Sequence, residues 1–196
     1  MTAAPVADAK VPAVRRILDA ARGLVARGGA AGISMGDVAA SAGVSKALVH
    51  YHFHDKESLL RELADRAGRD VIKRERDAMA RESDAAPHAL DAYWTWLREE
   101  LARGDVNILL ALGEYDSARV RDACRRASRE RLSVAEEHVS LVFGRLGLTP
   151  RVPAGLVAQT TVAFIDGLAA GHALAPDRDP RPAFDVLWLG LLTLAG

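Results

Sequence analysis

The densest run of chemically able side chains is "HYHFHDK", His50 to Lys56, with imidazoles at 50, 52 and 54. On a strand this alternate spacing would send all three rings to one side, as a metal site requires. On a helix it sets His50 and His54 one turn apart and points His52 elsewhere. Ser45 and Asp55 are N-cap residue types on either side of the run, so it reads as a short helix and the turn after it. No metal site is expected there, and His88, His138 and His172 are scattered. The single cysteine, Cys124, lies in "RDACRRASRER", where neighbouring arginines could lower its pKa and make it a nucleophile. A small half-buried helical residue is the plainer expectation for it. The sequence has no P-loop, no glycine-rich dinucleotide turn and no nucleophile–base pair. The Glu-x-x-His pairs of a di-iron bundle are missing too, since Ala135 and Ala169 stand three residues before His138 and His172. No enzyme activity, catalytic residue, metal or cofactor is predicted.

The elements that carry these residues are helical throughout. Val14, Ile17, Leu18, Ala21, Leu24 and Val25 share one face, and Gly28-Gly29 ends that helix. Ser34 followed by Asp37 resembles a capping box, Val38, Ala39 and Ala42 form a short apolar face, and Gly43 terminates it. Ser45 then opens a second short helix. Two short helices joined by a turn of three or four residues make a helix-turn-helix. Asp55 caps a long helix that runs to about Arg81, and "ESDAAP" is the clearest linker. Further helices follow: one through Leu90, Tyr93, Trp94, Leu97 and Leu101, a buried one in "VNILLALGEY", one from Ser117 to Leu146, and two over about 154–174 and 182–195. The expected fold is all-α with about nine helices. A flexible arm spans 1–11, a helix-turn-helix domain 12–62, and a helical bundle 63–196.

"AGVSKALVHYHFHDKESLL" resembles the TetR family of bacterial transcriptional repressors, through Ala42, Gly43, Val44, Ser45, Phe53, Lys56, Glu57, Leu59 and Leu60. "RRILDAARGLVARGG" is similar to that family's first helix, and the resemblance covers roughly 12–63. One departure is Val49-His50, where the family commonly has Leu-Tyr. The resemblance implies a recognition helix that lies in the major groove of double-stranded DNA. Ser45, Lys46, Ala47 and Leu48 would then stand near base edges, Lys46 donating to guanine and Ala47 and Leu48 meeting thymine methyls. His50, Tyr51, Ser34 and Lys56 would contact backbone phosphates, with Val49 and Phe53 in the core. Charge placement agrees. Lysines and arginines match aspartates and glutamates at 26 each over the whole chain, yet residues 1–54 carry six basic against three acidic side chains.

The remaining two thirds of the chain exceeds what a small DNA-binding domain can use. Apolar residues are 49% of the 196, enough for a second core. Ala163, Gly167 and Gly171 recur every four residues along one helix face, and Phe184, Leu187, Trp188 and Leu191 line another. Paired with their copies, two such helices would form a two-fold four-helix interface, so a homodimer reading a palindromic operator is expected. By resemblance, Trp94, Leu97, Leu109, Leu112, Tyr115, His138, Val142 and Phe164 would enclose an effector, lipophilic or aromatic given the sparse polar groups. The long helix from Asp55 would act as the lever. The stretch Ala154–Leu174 is long enough to span a membrane but carries Gln159, Asp166 and His172, so no membrane association and a cytoplasmic location are expected. Two rival readings keep the DNA binding: an activator, and a helix-turn-helix protein without an effector.

Overall fold

The computed structural model describes residues 7–80 and 86–194, with side chains described from 13 and, after the interruption, from 89. Among the described residues there are nine helices and no strand. They are α1 (Ala7–Gly28), α2 (Met35–Ala42), α3 (Lys46–Phe53), α4 (Lys56–Ala80), α5 (Ala86–Arg103), α6 (Asp105–Gly113), α7 (Ala118–Arg145), α8 (Ala154–Leu174) and α9 (Arg181–Leu192). Helix α1 begins at Ala7 and so takes in the last five residues of the segment expected as a flexible arm. Residues 1–6 of that arm, and 82–85 of the expected linker, lie outside the described residues. Helix α5 begins inside that linker, at Ala86.

The chain forms two compact units. The first runs up to Arg66 and adds Ile108–Arg125; the second combines Ala67–Asn107 with Arg126–Gly196. The segment Ile108–Arg125 thus joins the helix-turn-helix unit, although the sequence placed it in the bundle. Polar contacts within the first unit tie this segment to the start of α4. Ser117 Oγ donates to Glu57, and Arg119 pairs with the same carboxylate at 3.5 Å. Helices α4, α6 and α7 each contribute residues to both units.

The first unit buries Ile17, Leu18, Ala21 and Val25 of α1, Val38 and Ala39 of α2, Val49 and Phe53 of α3, and Leu59, Leu60 and Leu63 of α4. This is the 3.6-residue apolar stripe read from each segment. The second unit has a larger core built from Val71, Tyr93, Trp96, Leu97, Val142, Phe143, Ile165, Phe184 and Trp188 among others. Helix α8 buries Val157, Ala158, Thr161, Val162, Ile165 and Ala169 along one face and leaves the other exposed. At Gly68 a Cβ would come within 2.6 Å of the Ala127 Cβ, so only glycine lets α4 and α7 approach this closely.

An ion network ties α4 to the α5–α6 junction in the second unit. Arg74 donates to Glu100 at 2.6 Å and to Asp105 at 2.7 Å, and Glu100 also accepts from Val106 N–H at 2.9 Å. Burial pushes the Glu100 carboxyl upward, and the Arg74 hydrogen bond works against that push. Gly104, at φ 76°, lets the chain turn between α5 and α6 so that the two acids face one guanidinium. Replacing Arg74 by Met leaves two buried carboxylates uncompensated and should cost about 3–5 kcal/mol. Without the guanidinium, Glu100 has a still higher folded-state pKa. The deficit is therefore full at neutral pH and shrinks as pH falls toward the unfolded carboxyl value. Urea unfolding at pH 7 and pH 5 measures both.

Candidate nucleic-acid interface

The interface is built from two helices of eight residues each and the turn between them. Ser34 caps α2 through a complete capping box. Asp37 N–H donates to Ser34 Oγ at 3.2 Å, while Ser34 N–H donates back to the Asp37 carboxylate at 3.0 Å. The Ser34 hydroxyl also donates to that carboxylate at 2.7 Å, and this bond leads in lowering the Asp37 pKa. Gly43, at φ 62°, ends α2 in the left-handed conformation. Gly43 N–H then reaches Ala40 O at 3.2 Å and Val44 N–H reaches Ala39 O at 3.0 Å. Ser45 starts α3, its Oγ accepting from Leu48 N–H at 3.1 Å. Asp55 starts α4 in the same way, accepting from Ser58 N–H at 2.7 Å, which holds its carboxyl below the usual range.

Helix α3 is about 12 Å long at 1.5 Å per residue, a length that fits across the major groove. It buries Val49 and Phe53 and leaves Ser45, Lys46, Ala47, His50 and Tyr51 exposed, with Leu48 half-buried. Tyr51 is 59% exposed, more than a structural aromatic ring would be. Ser34 is also exposed, but its hydroxyl is already committed to the capping box.

The three histidines separate as a helix requires. The His50 ring nitrogen Nδ1 lies 2.8 Å from His54 O, and since a carbonyl only accepts, Nδ1 carries the proton. Nε2 is then the ring nitrogen left for another partner. His54 adopts φ 54° as the C-cap of α3. His52 is half-buried, edge-on to Tyr51 at 5.2 Å between ring centroids. Among the described residues no group of three or more metal-ligating side chains occurs.

Lys56 is more enclosed than its sequence context suggests. Its ammonium donates to Ala31 O at 2.9 Å and stands 5.2 Å from the Tyr115 ring, and burial lowers its pKa. One ammonium proton is used by Ala31, leaving two for other acceptors. Glu57, which entered the sequence reading only as part of a pattern, accepts from Ser117 and pairs with Arg119. These partners are about sixty residues away in the chain, so no local signal marks the bond.

The eight residues expected around an effector are divided. Leu109, Leu112 and Tyr115 belong to the first unit, whereas Trp94, Leu97, His138, Val142 and Phe164 belong to the second. Within the second unit Leu97 and Val142 are fully buried, and His138 Nδ1 lies 3.0 Å from Glu75 Oε1, both side chains nearly inaccessible. Tyr93 sits at the centre of an aromatic group, with ring centroids 5.2 Å from Trp96, 5.8 Å from Trp188, and 6.4 Å from both Phe184 and His138. Burial raises the Tyr93 phenol well above its ordinary pKa, and the Glu75 charge adds to the effect. The indole N–H groups of Trp96 and Trp188 are buried there without a protein partner.

The residues expected at a subunit interface divide as well. Ala163, Gly167 and Gly171 are exposed, and Leu187 is half-buried. Phe184, Trp188 and Leu191 instead lie in the second unit's own core, where the aromatic group around Tyr93 covers them. What α9 presents outward is Val186 and Leu189, 69% and 65% exposed.

Cys124 also departs from one expectation, that nearby arginines would activate it. Burial, aided by the charge of Asp65, pushes the thiol up to about 11. At pH 8 its thiolate fraction should be on the order of a hundredfold below that of an ordinary free cysteine. Alkylation of the folded protein by iodoacetamide, timed by mass spectrometry, should be slower than that of the urea-unfolded chain by about that factor.

Comparison with known proteins fits this geometry. Residues 17–68 match the family described as bacterial regulatory proteins, tetR family. The HTH-type transcriptional regulator BetI of Brucella suis biovar 1 is 31% identical over 168 residues, covering 83% of this chain and 81% of its own length. A TetR-family transcriptional regulator from Rhodococcus sp. superposes with a TM-score of 0.72 at 22% identity, covering 94% of this chain and 98% of the other. FadR from Bacillus subtilis, a transcriptional regulator solved with stearoyl-CoA, has a TM-score of 0.69 at 16% identity, covering 88% and 96%. A capped helix-turn-helix with an exposed basic recognition helix, at the place where these relatives match, leads to one conclusion: the chain belongs to the TetR family of DNA-binding transcriptional regulators.

Proposed function

We propose that the protein is a repressor that binds a palindromic operator as a homodimer and is released by a small-molecule effector. The exposed face of α3 carries this reading. Ser45, Lys46, Ala47 and Leu48 stand at the helix end that enters the groove. Lys46 reads a guanine edge, and Ala47 and Leu48 lie against thymine methyls. His50 and Tyr51 hold phosphates, and Lys56 reaches the backbone with the protons that Ala31 leaves free. Ser34 assists through the N–H groups at the start of α2 rather than through its hydroxyl.

For the dimer, the support is the apolar surface that α8 and α9 leave open. Leu156, Ala163, Gly167, Leu174, Val186 and Leu189 are all exposed, Leu174 at 88%. For the effector, the support is the polar heart of the second unit, where two indole N–H groups lack partners beside Glu75 and His138. The stearoyl-CoA complex of FadR shows that this fold accepts a lipophilic ligand in a relative. A ligand that prefers a form whose two recognition helices no longer match the half-site spacing favours release. Helix α4, which begins in the first unit and ends in the second, is the lever.

Selection of bound fragments from the source genome tests the proposal as a whole. An enriched inverted repeat supports it, and no preference for any duplex at low salt would sink it. Lys56→Ala should reduce the salt slope of DNA binding by about one unit per half-site and weaken all sequences alike; gel shifts across a salt series read this. Lys46→Ala should instead relax base preference within the half-site. A Cβ at Gly167 meets nothing within 4 Å in the chain itself, so Gly167→Leu should leave the fold intact and clash only with a second copy. Sedimentation should find the variant monomeric at concentrations where the parent is dimeric, with an unchanged helical spectrum.

A further inference from the structure

Lys56, proposed above as a phosphate contact, stands between two carboxylates. Asp55 precedes it as the cap of α4, and Glu57 follows it in the first turn. Acids at a helix start suit the helix dipole. They do not suit an approaching phosphate. Side chains of three consecutive residues lie within the screening length of about 8 Å at physiological salt, so both acids act on any anion that Lys56 reaches.

A cation from far along the chain answers them, within the same compact unit. Arg119, in the first turn of α7, pairs with Glu57 at 3.5 Å. Its charge also acts on Asp55, whose carboxyl is held low first by its hydrogen bonds to Ser58 and then by Arg119 and His54. Arg119 thus faces both acids. The other polar side chains of this segment are committed elsewhere or are uncharged. Arg121 is paired with Asp116 at 3.2 Å. The Ser117 hydroxyl donates to Glu57 and accepts from Val120 N–H at 3.3 Å, capping α7. Glu57 is therefore held toward α7, while the Lys56 ammonium is held toward Ala31 O. The Arg119 side chain is 71% exposed, so its ion pair adds little to folding stability. What it changes is the field at the surface around Lys56.

We propose that Arg119, although it lies outside the helix-turn-helix, is a positioning residue for DNA binding: it neutralises the acids on either side of Lys56, so that the ammonium meets a phosphate without their repulsion. The inference rests on the reading of Lys56 as a phosphate contact and adds to it a residue of α7.

A double-mutant cycle tests it, read by fluorescence anisotropy of the full chain on a labelled duplex of random sequence at low salt. Random sequence suffices because a phosphate contact carries no base preference. Arg119→Gln should weaken binding about fivefold, and Arg119→Lys, which keeps the charge, should stay within about twofold of the parent. Glu57→Gln keeps an acceptor for Ser117. In the parent it should change affinity by less than about twofold, whereas in Arg119→Gln it should recover about threefold. Arg129→Gln removes an exposed arginine of the second unit and should bind as the parent does. Thermal melts verify that each variant is folded. Three results overturn the proposal: parental affinity in Arg119→Gln; the same gain from Glu57→Gln with and without Arg119, as when Arg119 itself touches a phosphate; or an equal loss in Arg129→Gln, as from net charge alone. Lys56→Ala separates this proposal from the reading beneath it. If that variant keeps the parental affinity and salt slope, the phosphate role of Lys56 fails and the role of Arg119 with it. If it weakens binding while the cycle shows no coupling, only the role of Arg119 fails.

Discussion

Two eight-residue helices cannot hold themselves in shape in water, because a helix that short barely recovers the cost of its first turn. Everything that α2 and α3 do depends on their ends being fixed from outside the hydrogen-bond ladder. Ser34 with Asp37, Gly43 in the left-handed region, and Ser45 over Leu48 satisfy the orphan groups at three of the four ends. Burial of Val38, Ala39, Val49 and Phe53 then sets the angle at which α3 faces outward. The exposed positions of α3 follow from this. With Val49 and Phe53 turned inward, Lys46, Ala47 and His50 are turned out.

A second layer of positioning comes from far along the chain. Ala31, Tyr115, Ser117 and Arg119 all converge on the adjacent side chains of Lys56 and Glu57. The start of α4 is thereby gripped on one side by the α1–α2 turn and on the other by the α6–α7 segment, all within one compact unit. Such a unit resists reorientation of α3. It also means that Lys56 has a structural bond to Ala31 beside the phosphate contact proposed for it.

The second unit organises its polar groups differently. Arg74 with Glu100 and Asp105, Arg131 with Asp166 at 2.7 Å, and His138 with Glu75 place charges inside a core that is otherwise aromatic and aliphatic. Buried charges of this kind demand partners at fixed geometry, so they specify one arrangement of α4, α5, α7 and α8 more narrowly than apolar packing does. The indole N–H groups of Trp96 and Trp188 are left without a protein partner in the same core.

Local chemistry was legible in the sequence to a large degree. The helix starts at Ser34, Ser45 and Asp55 and the stop at Gly43 each rest on residues a few positions apart, and all of them appear where the residue types placed them. The resemblance around Ala42–Leu60 identified the family for the same reason, since a helix-turn-helix is nearly a local object. What sequence could not assign is which apolar stripe faces whom. Phe184, Trp188 and Leu191 have the spacing of an interface, but they complete a core with Tyr93 and Trp96, about ninety residues earlier. The grip on Glu57 escaped notice likewise. Hydrogen bonds within a turn are dictated by neighbouring residues, whereas ion pairs, pocket walls and the sharing of apolar faces depend on distances that exist only after the helices have packed.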